Sequence, residues 1–212
     1  HNGAIGMTSH APDELDLDVV GIDELFCVDR VLTGAEIAER ACDGQYIDSL
    51  NNMIKFDKYI PEQVKVRFNG RDGYVHIGSN VQVQEELYIN IGIGGRCIIG
   101  QDTSVVEAEI SAETGRISIG NDCMLSSGIR IKGSDGHHIF DIESGKRINE
   151  SKDVYIGDHV WIGEDAKILK GSKIESGSIV GACALVSGII PNNSVCGGGT
   201  RKSHKGKCML AA

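Results

Sequence analysis

Two adjacent histidines, His137 and His138, stand in the polar run Ser134-Asp135-Gly136-His137-His138, and imidazole is the side chain best suited to moving a proton at neutral pH. One ring can serve as base while neutral and as acid once charged, so a single histidine covers both halves of a transfer reaction. A solvated loop histidine is the plain alternative. Asp135 lies close enough along the chain either to accept the second N–H of such a ring or to close an Asx turn beside Gly136, and the residues leave both open. Among His76, His137, His138 and His159 there is no His-x4-His pair, and adjacent rings cannot easily share one ion, so a three-histidine metal site is not expected. Trp161 is the single tryptophan of a chain with 5% aromatics, and an exposed indole usually has a partner.

The elements that must position these groups follow a period of six. From Ile156 the chain divides into IGDHVW, IGEDAK, ILKGSK, IESGSI, VGACAL and VSGIIP, which puts Ile156, Ile162, Ile168, Ile174, Val180 and Val186 at one repeated position. Four residues after each stands Val160, Ala166, Ser172, Ser178, Ala184 or Ile190, mostly small. Neither the helical period nor an alternation of two generates this pattern. A short strand plus a turn does, with the large residue inward, the small one beside the corner, and three such sides closing a triangular coil. The frame recurs at Ile119, Leu125 and Ile131, at Ile77, Val83 and Ile89, and after an offset at Ile99 and Val105. Trp161, next to inward Ile162, then points outward. Ile131 to Ile156 is 25 residues, one more than four sixes, so the frame breaks between them. Residues 132–153 read as a loop extruded from the coil, and this loop carries Asp135, His137 and His138. Long irregular segments in compact domains are usually functional or disordered.

Composition agrees with a mainly β chain: 27 Ile and 16 Val stand against 10 Leu, and there are 28 Gly with only 3 Pro. The chain divides into a mixed N-terminal segment, 1–74, a β-helix domain, 75–200, and a basic tail, 201–212. Open strand edges invite aggregation, so the first segment is expected to cap one end of the coil and the tail the other. Within 1–74, Thr33 is placed to cap a helix through about Ala41, Asp43 to Lys55 reads as a second helix, and Val64 to Phe68 leads into the first coil. The net charge of −9 argues against a nucleic-acid partner. No apolar run approaches the roughly 18 residues that span a bilayer, so a cytoplasmic protein without membrane insertion is expected. Seven cysteines without a repeated CxxC speak against a disulfide framework.

In the hexad frame, in Ser134-Asp135-Gly136-His137 followed by Ile139-Phe140, in Asn149, in Lys152-Asp153-Val154 and in Tyr155-Ile156-Gly157-Asp158-His159-Val160-Trp161-Ile162-Gly163, the chain resembles the hexapeptide-repeat acyltransferases. The nearest likeness is to sugar and capsular-polysaccharide O-acetyltransferases, including the polysialic acid type. The resemblance implies a left-handed parallel β-helix, although general crossover rules favour the right hand. It implies an acetyl-CoA-dependent O-acetyltransferase acting on a sugar or polysaccharide hydroxyl, without a metal and as a homotrimer. His137 matches the catalytic histidine of those enzymes, Trp161 would line the active site, and Asp135 would orient the imidazole. Gly163 precedes Glu164, whose N–H would meet the thioester oxyanion. Ala182 and Ser187 would contact the arm of the coenzyme, and Lys202 and Lys205 its phosphates. Two positions depart from the pattern: His138 stands where relatives often have proline, and Gly198-Gly199-Thr200-Arg201-Lys202 lacks the usual proline before the basic residue.

Other activities are compatible with the same coil. An amino-sugar N-acetyltransferase is the alternative within the class. Outside it stand a γ-carbonic-anhydrase-like metalloenzyme, which needs three facing histidines, and a non-enzymatic β-helix scaffold, which would show plain coils without an irregular histidine loop.

Overall fold

The inward residue of every six builds one column along each side of a three-sided coil. In the computed structural model, which describes residues 30–197 and the strand Ser203–His204, an 8-stranded sheet forms one face and a 12-stranded sheet wraps the other two. We name the faces by an outward residue. On the Lys173 face Phe56, Ile77, Ile99, Ile119, Ile156, Ile174 and Ile190 lie in register. On the Trp161 face the column is Val83, Val105, Leu125, Ile162, Val180 and Cys196. On the Lys167 face it is Val66, Ile89, Ile110, Ile131, Ile168 and Val186. Coil-to-coil pairing is parallel throughout, and the inward side chains of 156, 162, 168 and 174 are fully buried.

The small residues expected at the corners are buried as well, and their hydroxyls are used. Thr103 donates to Gly120 O at 3.1 Å, Ser172 to Val186 O at 3.1 Å and Ser178 to Pro191 O at 2.8 Å, so each buried O–H is satisfied by a corner carbonyl of the following coil. At the corner between the Lys173 and Trp161 faces, Asn80, Asp102, Asp122, His159 and Asn193 all take positive φ, between 53° and 59°. Asn, Asp and His tolerate this region better than other side chains, and Gly177 fills the same place one coil on. His159 is thereby accounted for structurally, with Nδ1 at 2.7 Å from Asp122.

The N-terminal part differs in one respect from its sequence reading. Thr33 caps the helix Gly34–Arg40 through a reciprocal pair with Glu36, the N–H of Glu36 reaching Thr33 Oγ1 at 3.3 Å and that of Thr33 reaching Glu36 Oε2 at 3.0 Å. The second helix does not form. Asp43, Gly44 and Asn51 adopt positive φ, which a helix cannot include, and Gln45–Ile47 instead pairs antiparallel with Met53–Phe56. Met53–Phe56 already pairs in parallel with Tyr74–Ile77, so the coil ladder starts upstream of residue 75. Two antiparallel strands, Gln45–Ile47 and Val31–Thr33, lie along the first strands of the two sheets, and Ser203–His204 lies along Val195–Cys196. Among the described residues no helix is long and apolar enough to cross a membrane.

The columns make a direct stability prediction. Ile156→Ala removes a fully buried side chain between Ile119 and Ile174 and is expected to cost about 2–5 kcal/mol. Lys173→Ala, on the outside of the neighbouring rung, should stay within about 0.5 kcal/mol. Urea midpoints at constant slope measure both, and equal effects would contradict the inward assignment.

Candidate active site

The loop leaves the coil at the edge where the Lys167 face turns into the Lys173 face, between the strands Ile129–Lys132 and Val154–Ile156. Its neck is closed by main-chain bonds from Gly133 N to Ser111 O and from Lys152 N to Gly133 O, both 2.9 Å. Beyond the neck Ile139 and Ile148 share a 2.9 Å main-chain bond, Phe140 and Arg147 pair antiparallel, and Asp141 Oδ1 accepts from Ser144 N and Oγ at 2.8 and 2.6 Å. The extruded segment is therefore a folded hairpin on a closed neck.

Asn149, 7% exposed, organises the inner part of this loop. Its Nδ2 donates to His137 O at 2.7 Å and Asp135 Oδ2 at 2.9 Å, while Oδ1 accepts from Ile139 N at 2.7 Å. Lys170, on the next coil, donates to Asp135 Oδ2 at 2.6 Å and Glu150 O at 3.1 Å. The Asp135 carboxylate is thus engaged by Lys170 and Asn149, whereas the residues alone leave an imidazole N–H and an Asx turn both open for it. The two histidines also separate: His138 meets Phe140 edge-on at 6.1 Å, whereas the His137 ring is exposed and has no hydrogen-bond partner among the described residues.

A second group of candidates lies on another edge. Trp161, 42% exposed, stands outward between Met124 and Ile179, with Nε1 donating to Ser126 Oγ at 3.3 Å. Two residues on, the chain turns toward the Lys167 face through Gly163 and Glu164. A Cβ on Gly163 would lie 2.7 Å from Ala182 N, so the close approach of the next coil requires glycine. At the preceding corner the equivalent N–H groups of Gln101, Asn121 and Asp158 are capped by Asn121, Asp158 and Ser176 side chains. The N–H groups of Glu164 and Ala182 have no acceptor among the described residues, which leaves two main-chain donors on successive coils. Ser187 lies elsewhere, beyond Leu185–Val186 at the edge that carries the loop. Lys202 and Lys205 lie outside the described residues. A groove of ≈ 440 Å³ on the Lys167 face is lined by Tyr88, Glu107, Arg130, Asp165 and Lys167, among others, and contains neither His137 nor Trp161. Among the described residues the candidate groups therefore stand on two different edges of the coil.

Lys170 escaped the sequence reading because 35 residues separate it from Asp135 and only the coil brings them together. Asn149 stood out as part of a motif, but its role is visible only from its partners.

The comparisons with known proteins bear on both edges. Residues 153–188 match the family described as Bacterial transferase hexapeptide (six repeats). Over 59 residues the chain is 52% identical to a polysialic acid O-acetyltransferase of Neisseria meningitidis, a stretch that is 27% of this chain and 27% of that relative. The crystal structure of the polySia-specific acetyltransferase NeuO superposes with a TM-score of 0.69 at 32% identity, covering 76% of this chain and 75% of the other. That of the polysialic acid O-acetyltransferase OatWY gives 0.70 at 32% identity, covering 76% and 78%. The chain belongs to the hexapeptide-repeat acyltransferases. Its coil is accordingly the left-handed parallel β-helix of that family, the hand implied by the resemblance and opposite to the general crossover preference. Trp161, Gly163, Glu164, Ala182 and Ser187 fall inside the matched repeats, whereas His137 and Asn149 lie just before them.

The anchoring of the loop has a pH signature. The Lys170 hydrogen bond, and after it that of Asn149, holds the Asp135 carboxyl below its ordinary range. A depressed carboxyl stabilises the folded arrangement above its unfolded pKa and loses that contribution as pH falls through the lower, folded value. Lys170→Met is therefore expected to move the Asp135 titration upward, as followed by carboxyl ¹³C NMR. An unmoved titration would mean that the contact does not form in solution.

Proposed function

We propose that the chain is an acetyl-CoA-dependent O-acetyltransferase whose acceptor is a hydroxyl of a polysialic acid-like polysaccharide, and that it works in the cytoplasm as a homotrimer without a metal. The observation that carries this reading is the histidine hairpin extruded from a hexapeptide coil whose 32%-identical structural relatives are described as acting on polysialic acid. In the proposed reaction neutral His137 takes the proton of the acceptor hydroxyl as its oxygen attacks the thioester carbonyl. The resulting oxyanion is met by the Glu164 N–H, and collapse expels the thiolate, which receives the proton back from His137. The products are an acetyl ester and free coenzyme A. Ala182 and Ser187 would line the arm of the donor, and Lys202 and Lys205 would meet its phosphates.

The homotrimer is supported by the separation of the two edges. His137 stands at the edge between the Lys167 and Lys173 faces, while Trp161, Glu164 and Ala182 stand at the one between the Trp161 and Lys167 faces. The loop-to-coil bonds run to its own edge, at Ser111 and Lys170. A closed ring of copies, each meeting its neighbour edge to edge, would complete every site.

His137→Ala is expected to lower kcat by about 10²–10⁴ with the fold retained, and His138→Ala by much less. At alkaline pH kcat/KM should stay level, because a hydroxyl acceptor gains nothing from its own ionisation there. An amine acceptor would keep gaining rate as its ammonium deprotonates, and its acetyl amide would resist hydroxylamine, which removes an ester. A hydroxylamine-stable product would therefore overturn the O-acetyl reading in favour of the amino-sugar alternative. For the shared site, inactive His137→Ala and Trp161→Ala chains co-expressed in one oligomer should recover part of the wild-type rate. No recovery in demonstrably mixed oligomers would place both groups in one chain.

A further inference from the structure

We infer that Lys170, Asp135 and Asn149 form a strut that positions the general base, fixing the main chain of His137 from the coil outward. The inference rests on the assignment of His137 as base and adds the residues that hold it in place. None of the three needs to touch a substrate.

The argument starts with the amide of Asn149. The C=O of His137 and the carboxylate of Asp135 can only accept, and the N–H of Ile139 can only donate, so the amide fits in one orientation alone. In that orientation one buried side chain grips the C=O of His137 and the N–H of Ile139, the two main-chain groups that bracket His138. The backbone that aims the His137 ring is thereby fixed on its C-terminal side. Asn149 would itself be only a loop-internal fastening if it ended there, but its second Nδ2 bond goes to Asp135, and Asp135 is held by Lys170. Lys170 follows the strand Lys167–Ile168, which is paired on both sides, with Ile129–Lys132 and with Leu185–Val186. The chain of contacts thus runs from the rigid ladder through an ion pair and a neutral amide to the carbonyl of the base. Lys170 is shielded along its stem, with 18% of its side chain accessible, and a second bond to Glu150 O ties the returning arm of the loop to the same ammonium. One cation therefore gathers both arms.

Such a strut matters because the His137 ring has no hydrogen bond of its own to aim it among the described residues. A displacement of about 1 Å at a reacting group is enough to cost on the order of 10²-fold in rate. Asn149→Asp tests the geometry most sharply, since it keeps the shape but replaces the donating NH₂ by an oxygen facing the His137 carbonyl and the Asp135 carboxylate.

The test is a double-mutant cycle in the full-length oligomer, assayed with acetyl-CoA and soluble polysialic acid. Asn149→Asp and Lys170→Met are each expected to lower kcat by about 10–100-fold with donor KM within about twofold, and Lys170→Arg, which can still donate to Asp135, should restore most of the rate. In a His137→Ala background the same substitutions should cause no further loss, because they act only through the base. Equal losses with and without His137, or no loss with His137 present, would overturn the strut. A rate unchanged by His137→Ala alone would overturn the general-base reading, so the two failures are told apart. Thermal melts and light scattering on each variant identify any that fail to fold or assemble, and for these Asn149→Gln and Lys170→Gln take their place in the same cycle.

Discussion

Everything in this protein depends on the return of the chain to the same register after each turn of the coil. Each side must present one aliphatic residue inward, turn a corner, and pair in parallel with the coils before and after it. A slip of one residue would move the whole inward set to the outside. This constraint explains why the corners, and not the sides, hold the unusual residues. Positive φ at Asp102, Asp122, His159 and Asn193, and buried hydroxyls at Thr103, Ser172 and Ser178, solve the same problem of bending a backbone without leaving its polar groups unpaired.

The candidate groups then stand where the ladder tolerates departure. A corner can lengthen without disturbing the pairing on either side, and the hairpin of 133–153 does this, because Ile129–Lys132 and Val154–Ile156 keep their partners across it. A second departure is at Glu164 and Ala182, whose N–H groups meet no side-chain cap among the described residues. The neighbouring corner, by contrast, satisfies the N–H groups of Gln101, Asn121 and Asp158 with the side chains of Asn121, Asp158 and Ser176.

Much of this was legible in the sequence, and the limits have physical causes. The period of six located the inward columns and the loop because burial acts on residues at fixed spacing. Ile110 was not placed in the frame because only five residues separate it from Val105, where the strand Ser104–Ala112 runs on through the corner. The Asp43 to Lys55 segment misled because its composition carries no periodic stripe long enough to outweigh the turn residues at Asp43, Gly44 and Asn51. The left hand came from resemblance and not from any rule about strands. The partners of Asp135 were invisible: proximity along the chain left an imidazole and an Asx turn both open, whereas the fold supplies an ammonium from 35 residues away.

That last difference changes how the candidate base is held. A carboxylate on the ring N–H would set the orientation and the charge balance of an imidazole together. Here the charged pair, Lys170 with Asp135, lies at the root of the loop, and the contact that reaches His137 is a neutral amide on its carbonyl. In the strut we infer, orientation is delivered through the main chain, while the ring itself makes no hydrogen bond among the described residues. The open ring and the position of Trp161, Glu164 and Ala182 on another edge have one cause: the coil fixes where each candidate group stands, and in the trimer we propose a neighbouring copy would bring the two edges together.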